Sequence, residues 1–184
     1  MKNLVNKILN KVQNFKKSRF DLDDIDMSDD DAATQQLFSY SYKAKNKEDL
    51  RKRIQSEIKT YMSDPMLYNE IIDLNFIDVS LIENFDDLFR NIEDEAYIQT
   101  YKFNCMNVDV SEWDVHNAKS MESMFKGMRN FNCDLSKWHV DNVTNMSYMF
   151  KNCFLFNRNL NNWNIKNVTK FECMFNNALS FNKP

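Results

Sequence analysis

Apolar residues in the C-terminal half of the chain return every 25 positions. Trp113, Trp138 and Trp163 keep that interval, and so do the pairs Met124-Phe125, Met149-Phe150 and Met174-Phe175. Aligned on Trp138, four ungapped sixteen-residue segments emerge: 74–89, 110–125, 135–150 and 160–175. Seven columns stay apolar in all four copies. They are Leu74/Val110/Leu135/Leu160, Ile77/Trp113/Trp138/Trp163, Val79/Val115/Val140/Ile165, Ile82/Ala118/Val143/Val168, Phe85/Met121/Met146/Phe171, Leu88/Met124/Met149/Met174 and Phe89/Phe125/Phe150/Phe175. A segment this short cannot bury such side chains alone, so copies must stack and share one core.

The pattern predicts the local structure of each copy. Leu-x-x-Trp-x-Val ends in an alternation of period two, which suits a short strand. Val143, Met146, Met149 and Phe150 recur at three or four, which suits one or two helical turns. Two residues after each Phe stand Asn91, Gly127, Asn152 and Asn177, and Gly127 is the only glycine in the chain. Those are the residues a terminating helix takes at its left-handed C′ position. The expected fold is an α/β repeat solenoid, a leucine-rich-repeat-like stack of short parallel strands and helical turns. Its core ladder is Trp113, Trp138 and Trp163 with Phe125, Phe150 and Phe175.

The stretches "LSKWHVDNVTNMSYMFKNCFLFN" and "LNNWNIKNVTKFECMFNNALSFN" resemble the BspA-like leucine-rich-repeat family of surface proteins. Its repeat runs roughly W-D-V-S-N-V-T-x-M-x-x-M-F-x-x-C-x-x-F-N. The resemblance covers 103–184 well and 74–89 weakly, and "NKEDLRKRIQSEI" is similar to the helix that often precedes the first repeat. It implies a repeat architecture used in bacterial surface proteins, phages and large viruses; role is less constrained than fold.

Upstream, the pattern changes. In 1–20, Leu4, Val5, Ile8, Leu9, Val12 and Phe15 share one helical face and every charge is basic, which predicts a basic amphipathic helix. It could pack on its own domain, serve as an address, or touch an anionic membrane. Residues 21–45 read as an acidic linker and a short helix: "DLDDIDMSDDD" holds seven aspartates, and Ser28 with Asp31 suits a cap for a helix over 31–42. The acidic run lacks the glycine and closing glutamate of an EF-hand loop. In 46–102, Asn46 is a good N-cap and Leu50, Ile54, Ile58 and Met62 form a stripe ending before Pro65. This helix, the degenerate copy 74–89 and an insertion over 90–102 make an N-terminal cap. Three 25-residue repeats over 103–184 follow, with an open C-terminal end that should leave apolar surface uncovered and could support self-association.

Composition narrows the function. A net charge of −3 argues against a nucleic-acid binder. The 26 asparagines supply the residues that tolerate positive φ in a chain so poor in glycine. Cys105, Cys133, Cys153 and Cys173 contain no CxxC pair and are expected to be buried apolar residues in a reducing compartment. No secretion signal is seen, and no apolar run approaches the ~20 residues of a spanning helix, so an intracellular or virion setting is expected.

In the strand reading, the positions between buried ones point outward and form a candidate binding face. Its columns are Phe76/Glu112/Lys137/Asn162, Asp78/Asp114/His139/Asn164 and Ser80/His116/Asp141/Lys166. Parallel neighbours lie about 4.8 Å apart, which sets Asp114 beside His139 and His116 beside Asp141. That checkerboard suits an acid–base pair or a metal. It equally suits a ladder of compatible charges, extended by Glu112–Lys137 and Asp141–Lys166. No nucleophile–base pair and no glycine loop for phosphate occurs, so no catalytic residue, metal or cofactor is expected. The expected role is non-enzymatic protein–protein interaction through this face or the 90–102 insertion. The alternative is a structural or packaged component of a virus, phage or surface layer, addressed by the N-terminal basic helix.

Overall fold

The structure, a computed structural model, describes residues 42–63, 71–90 and 107–183. The basic helix over 1–20, the acidic segment up to 41, Asn91 and the rest of the insertion, and Cys105 lie outside the described residues. The element order is β1 (Tyr42–Lys43), α1 (Lys47–Ser63), β2 (Ile72–Asp73), β3 (Ile77–Asp78) and β4 (Val108–Asp109).

Helix α1 starts where its cap places it. Asn46 Oδ1 accepts from the Asp49 N–H at 2.9 Å, satisfying a donor the first turn leaves orphaned. Leu50, Ile54 and Ile58 are buried, so the apolar stripe faces the core. From its other side Arg51 donates to the carbonyls of Asp87, Leu88 and Arg90 at 2.6–2.9 Å, tying α1 to the end of the 74–89 copy. Strand β1 pairs in parallel with β3, Tyr42 opposite Ile77. The reading of 21–45 as linker and helix therefore fails at its end: a two-residue strand has no periodicity to betray it. Likewise β2 pairs in parallel with β4, Ile72 opposite Val108.

The seven repeat columns are the core. In the first three copies every one of their residues is at most 3 % exposed. In the first copy β3 occupies the expected strand position, but in the three tryptophan copies the local structure is not the strand-then-helix expected. Leu-x-x-Trp-x-Val is a pair of tight turns, closed by Trp138 N–H to the Leu135 carbonyl at 3.1 Å and Val143 N–H to Val140 at 3.0 Å. The segment expected to be helical carries the parallel contacts instead. Bridges run Asn84–Ser120, Ser120–Asn145 and Asn145–Lys170. Alternate N–H groups of one copy then donate to the next: Met121 to Asn145, Ser123 to Ser147, Phe125 to Met149, and Gly127 to Lys151 at 2.8–3.1 Å. Met146, Tyr148, Phe150 and Asn152 repeat the pattern onto 170–176. Spacing of three and four is produced here by turns within a flat, laterally bonded segment, which periodicity alone cannot tell from a helix.

Positive φ occurs twice in each of the three tryptophan copies. Gly127, Asn152 and Asn177 have φ of 86°, 63° and 59°, so the left-handed residue is present, although it ends a run of turns and no helix. A second column, Asp87, Ser123, Tyr148 and Cys173, has φ between 51° and 60°.

Aromatic rings add a lateral series to each layer. Phe89, Phe125, Phe150 and Phe175 stack at 5.4–5.7 Å, and Phe131, Phe156 and Phe181 at 5.8–5.9 Å. Each indole donates backwards to the preceding copy: Trp113 to the Leu74 carbonyl, Trp138 to Val110 and Trp163 to Leu135, at 2.9–3.0 Å. A buried N–H thus finds its partner in a neighbour.

Candidate binding face

The tight turns position the outward side chains. Just ahead of each copy an Asp or Asn accepts from the main-chain N–H two residues on: Asp73 from Asn75, Asp109 from Ser111, Asp134 from Ser136 and Asn159 from Asn161, at 2.8–3.0 Å; on the face itself Asp78 accepts from Ser80 at 2.9 Å. Such Asx turns explain why short acids and amides fill these columns. The Ser80 hydroxyl and N–H, with Lys43 at 3.2 Å, hold the Asp78 carboxyl below the ordinary carboxylate range against the opposing effect of burial. Phe76 lies under the Arg53 guanidinium, 5.2 Å from its ring.

The same turn geometry breaks the expected checkerboard. His116 Nδ1 lies 2.7 Å from Asp114 Oδ1, within its own copy, and the His116 N–H donates to the same oxygen at 3.2 Å. A tight turn folds positions two apart towards each other, whereas strand geometry would have sent both outward and sideways. Burial alone would raise the Asp114 carboxyl; the two hydrogen bonds from His116 outweigh it and hold the carboxyl low. Asp141 meets no histidine among the described residues. Its carboxylate accepts from Asn164 Nδ2 at 2.5 Å, and its carbonyl from Asn167 Nδ2 at 2.6 Å. His139 is exposed and makes no hydrogen bond among the described residues.

Between the face columns of adjacent copies one ion pair is found among the described residues: Lys137 Nζ bonds Glu112 Oε1, and this hydrogen bond raises the Lys137 ammonium. Lys166, expected to pair with Asp141, is exposed and has no ion pair among the described residues. Asn162 is exposed beside it. The face thus mixes a local pair, His116 with Asp114, with sideways contacts from Lys137 to Glu112 and from Asn164 to Asp141. Between Glu112, Asp114, Lys137 and His139 lies an open groove of about 210 Å³, smaller than the 300–1,000 Å³ usual for a small-molecule site. Among the described residues no group of three or more His, Cys, Asp or Glu side chains is placed to hold a metal ion.

Asparagine amides bind the layers to one another. Asn117, Asn142 and Asn167 donate to the carbonyls of Ser80, His116 and Asp141, and Asn132 and Asn157 accept from the N–H of Asn157 and Asn182. The cysteines divide. Cys133 and Cys153 are buried and burial pushes both thiols up to about 12, but Cys173 is exposed, contrary to expectation. No described helix is long and apolar enough to cross a membrane.

No curated protein and no solved structure matches the chain. Residues 95–184, the part containing the three regular copies and just under half of the chain, match the family described as "Mycoplasma protein of unknown function, DUF285".

Proposed function

We propose that the chain is a non-enzymatic repeat protein, a leucine-rich-repeat-like solenoid of the BspA-like kind, which holds another protein against its outward face. The observation that carries this reading is the face itself: side chains from Glu112 to Lys166 project from tight turns closed by their own backbone bonds and tied to the neighbouring copy by indole and asparagine side chains. Ordering costs on binding are low when the contact surface is already held. The groove beside His139 takes one side chain of a partner more readily than a small substrate. The 90–102 insertion, largely outside the described residues, is a second contact region under the same reading.

The test compares full-length protein with a Glu112→Lys, Asp141→Lys, His139→Ala variant as bait in lysate of the native source. Matching thermal unfolding is checked first. The expected result is a protein partner retained by the parent chain and lost with the variant. Equal retention by both baits would place the contact elsewhere and remove this face from consideration.

A further inference from the structure

A different corner of the copies carries charge of one sign. The equivalent segments 126–133, 151–158 and 176–183 contain five Lys or Arg residues and no Asp or Glu, in a chain whose net charge is −3. Lateral hydrogen bonds set these segments side by side: Gly127 N–H to Lys151, Asn152 N–H to Asn176, Leu155 N–H to Arg129 and Ser180 N–H to Phe154, at 2.8–3.0 Å. Positive charge scattered in sequence is therefore gathered in space.

Three of these cations are held on rings. The Lys126 and Lys151 ammonium groups lie 5.3 and 5.4 Å from the Tyr148 ring centroid, one from each side of its position in the chain. The Arg129 guanidinium lies 5.3 Å from that of Phe154. Cation–π contacts at exposed sites are worth about 0.5–1 kcal/mol, enough to bias the side chains without neutralising them. None of the three has an ion pair among the described residues. The carboxylates of the same copies are engaged elsewhere, Glu122 with Asn145 Nδ2 and Glu172 with the Ser147 hydroxyl. Beside the cations, Leu155 is 51 % and Leu179 75 % exposed, where most leucines of the chain's core are fully covered.

We infer that this corner docks an extended acidic peptide segment of a partner protein, one carrying apolar side chains between its carboxylates. Uncompensated cations call for anionic groups, and the two leucines call for apolar ones within a few residues of them. A bilayer surface fits less well: at about 1 kcal/mol per basic residue, three cations give only weak and reversible adsorption. The inference rests on the reading of the chain as a docking protein and adds to its outward face a second surface with one class of partner.

The test measures fluorescence anisotropy of a labelled peptide of repeated Glu-Leu-Glu units with the full-length protein. A Gln-Leu-Gln peptide and phosphatidylserine vesicles serve as comparison probes. Binding of the Glu-Leu-Glu peptide should weaken at least tenfold in Lys126→Glu, Arg129→Glu, Lys151→Glu protein, and about threefold with Leu155→Ser, Leu179→Ser. It should also weaken with salt. Replacing the three cations by Gln covers the case in which charge reversal prevents folding. Lys59→Glu, Lys170→Glu protein, altered outside these segments, should bind within twofold of the parent. Equal affinity for the Gln-Leu-Gln peptide, an equal loss with the Lys59 and Lys170 changes, vesicle binding without peptide binding, or no binding would each overturn the inference. The outward-face variant of the capture experiment is untouched by any of these, so the general reading stands or falls separately.

Discussion

Gly127 has φ of 86° in a column otherwise filled by asparagine at 63° and 59°. Gly127→Asn should therefore be nearly neutral, while Gly127→Val should cost about 1–2 kcal/mol, because a β-branched side chain collides with the backbone there. Urea unfolding of both variants checks this, and equal stability would refute it. The second left-handed column gave no sign in advance, since Asp87, Ser123, Tyr148 and Cys173 share no preference for positive φ. All four share a tight turn, in which their carbonyls accept from the N–H three residues on, Arg90, Lys126, Lys151 and Asn176, at 2.9–3.2 Å. Tyr148 turns left-handed where its N–H donates to Glu172 at 2.8 Å and its carbonyl accepts from Lys151 at 3.0 Å. The thiols offer a further residue-scale prediction. With Cys105 replaced by Ser, a thiol reagent at neutral pH should modify Cys173 rapidly. Cys133 and Cys153, held protonated by burial with thiols near 12, should react only on unfolding. Three equally fast thiols in folded protein would contradict the burial of the latter two.

Within an element, the capping and turn carboxylates set the response to acid. Main-chain and hydroxyl bonds from Ser136 hold the Asp134 carboxyl low, and those from Ser80 hold Asp78 low. A carboxyl with a depressed folded value contributes stability that is complete above its unfolded value, about 3.9. That contribution is lost as pH falls through the folded value. Melting temperature should accordingly be flat from pH 7 to about 5 and fall below about 4. Asp134→Asn should shallow that acid limb; an unchanged slope would show that Asp134 does not contribute. For α1, Asn46→Ala should cost about 1 kcal/mol through the lost cap, read by denaturant unfolding, whereas Asn46→Asp should be close to neutral. The cap was legible because it uses local chain alone. The checkerboard was misread because its geometry depended on whether 110–115 is strand or turn, and two buried positions spaced by two are compatible with both.

Across the whole molecule, equivalent positions do not have equal worth. The column Phe85/Met121/Met146 is fully buried, yet Phe171 is 42 % exposed; Val79, Val115 and Val140 are 1 % exposed, yet Ile165 is 47 %. The final copy also holds the N–H groups of Phe171, Cys173, Phe175 and Asn177, whose counterparts in earlier copies donate sideways. Met146→Ala should therefore cost about 2–5 kcal/mol as a cavity in packed core, and Phe171→Ala only roughly 1 kcal/mol, since much of its ring already meets water. Comparable losses in denaturant unfolding would mean that the fourth copy is covered in solution.

The sequence by itself determined the 25-residue period, the buried columns, the helix and its cap, and one of the two left-handed positions. Each is written in residue types whose burial or backbone preference is expressed within a single copy. The tertiary structure alone decided which stretch of the copy bonds sideways, where the pairs β1–β3 and β2–β4 form, that His116 meets Asp114, and that Lys126, Arg129 and Lys151 gather beside Leu155. Apart from the His116–Asp114 contact, which a tight turn closes, those outcomes depend on hydrogen bonds between residues 24 or more apart, and a lateral bond leaves no mark on the hydropathy of either partner.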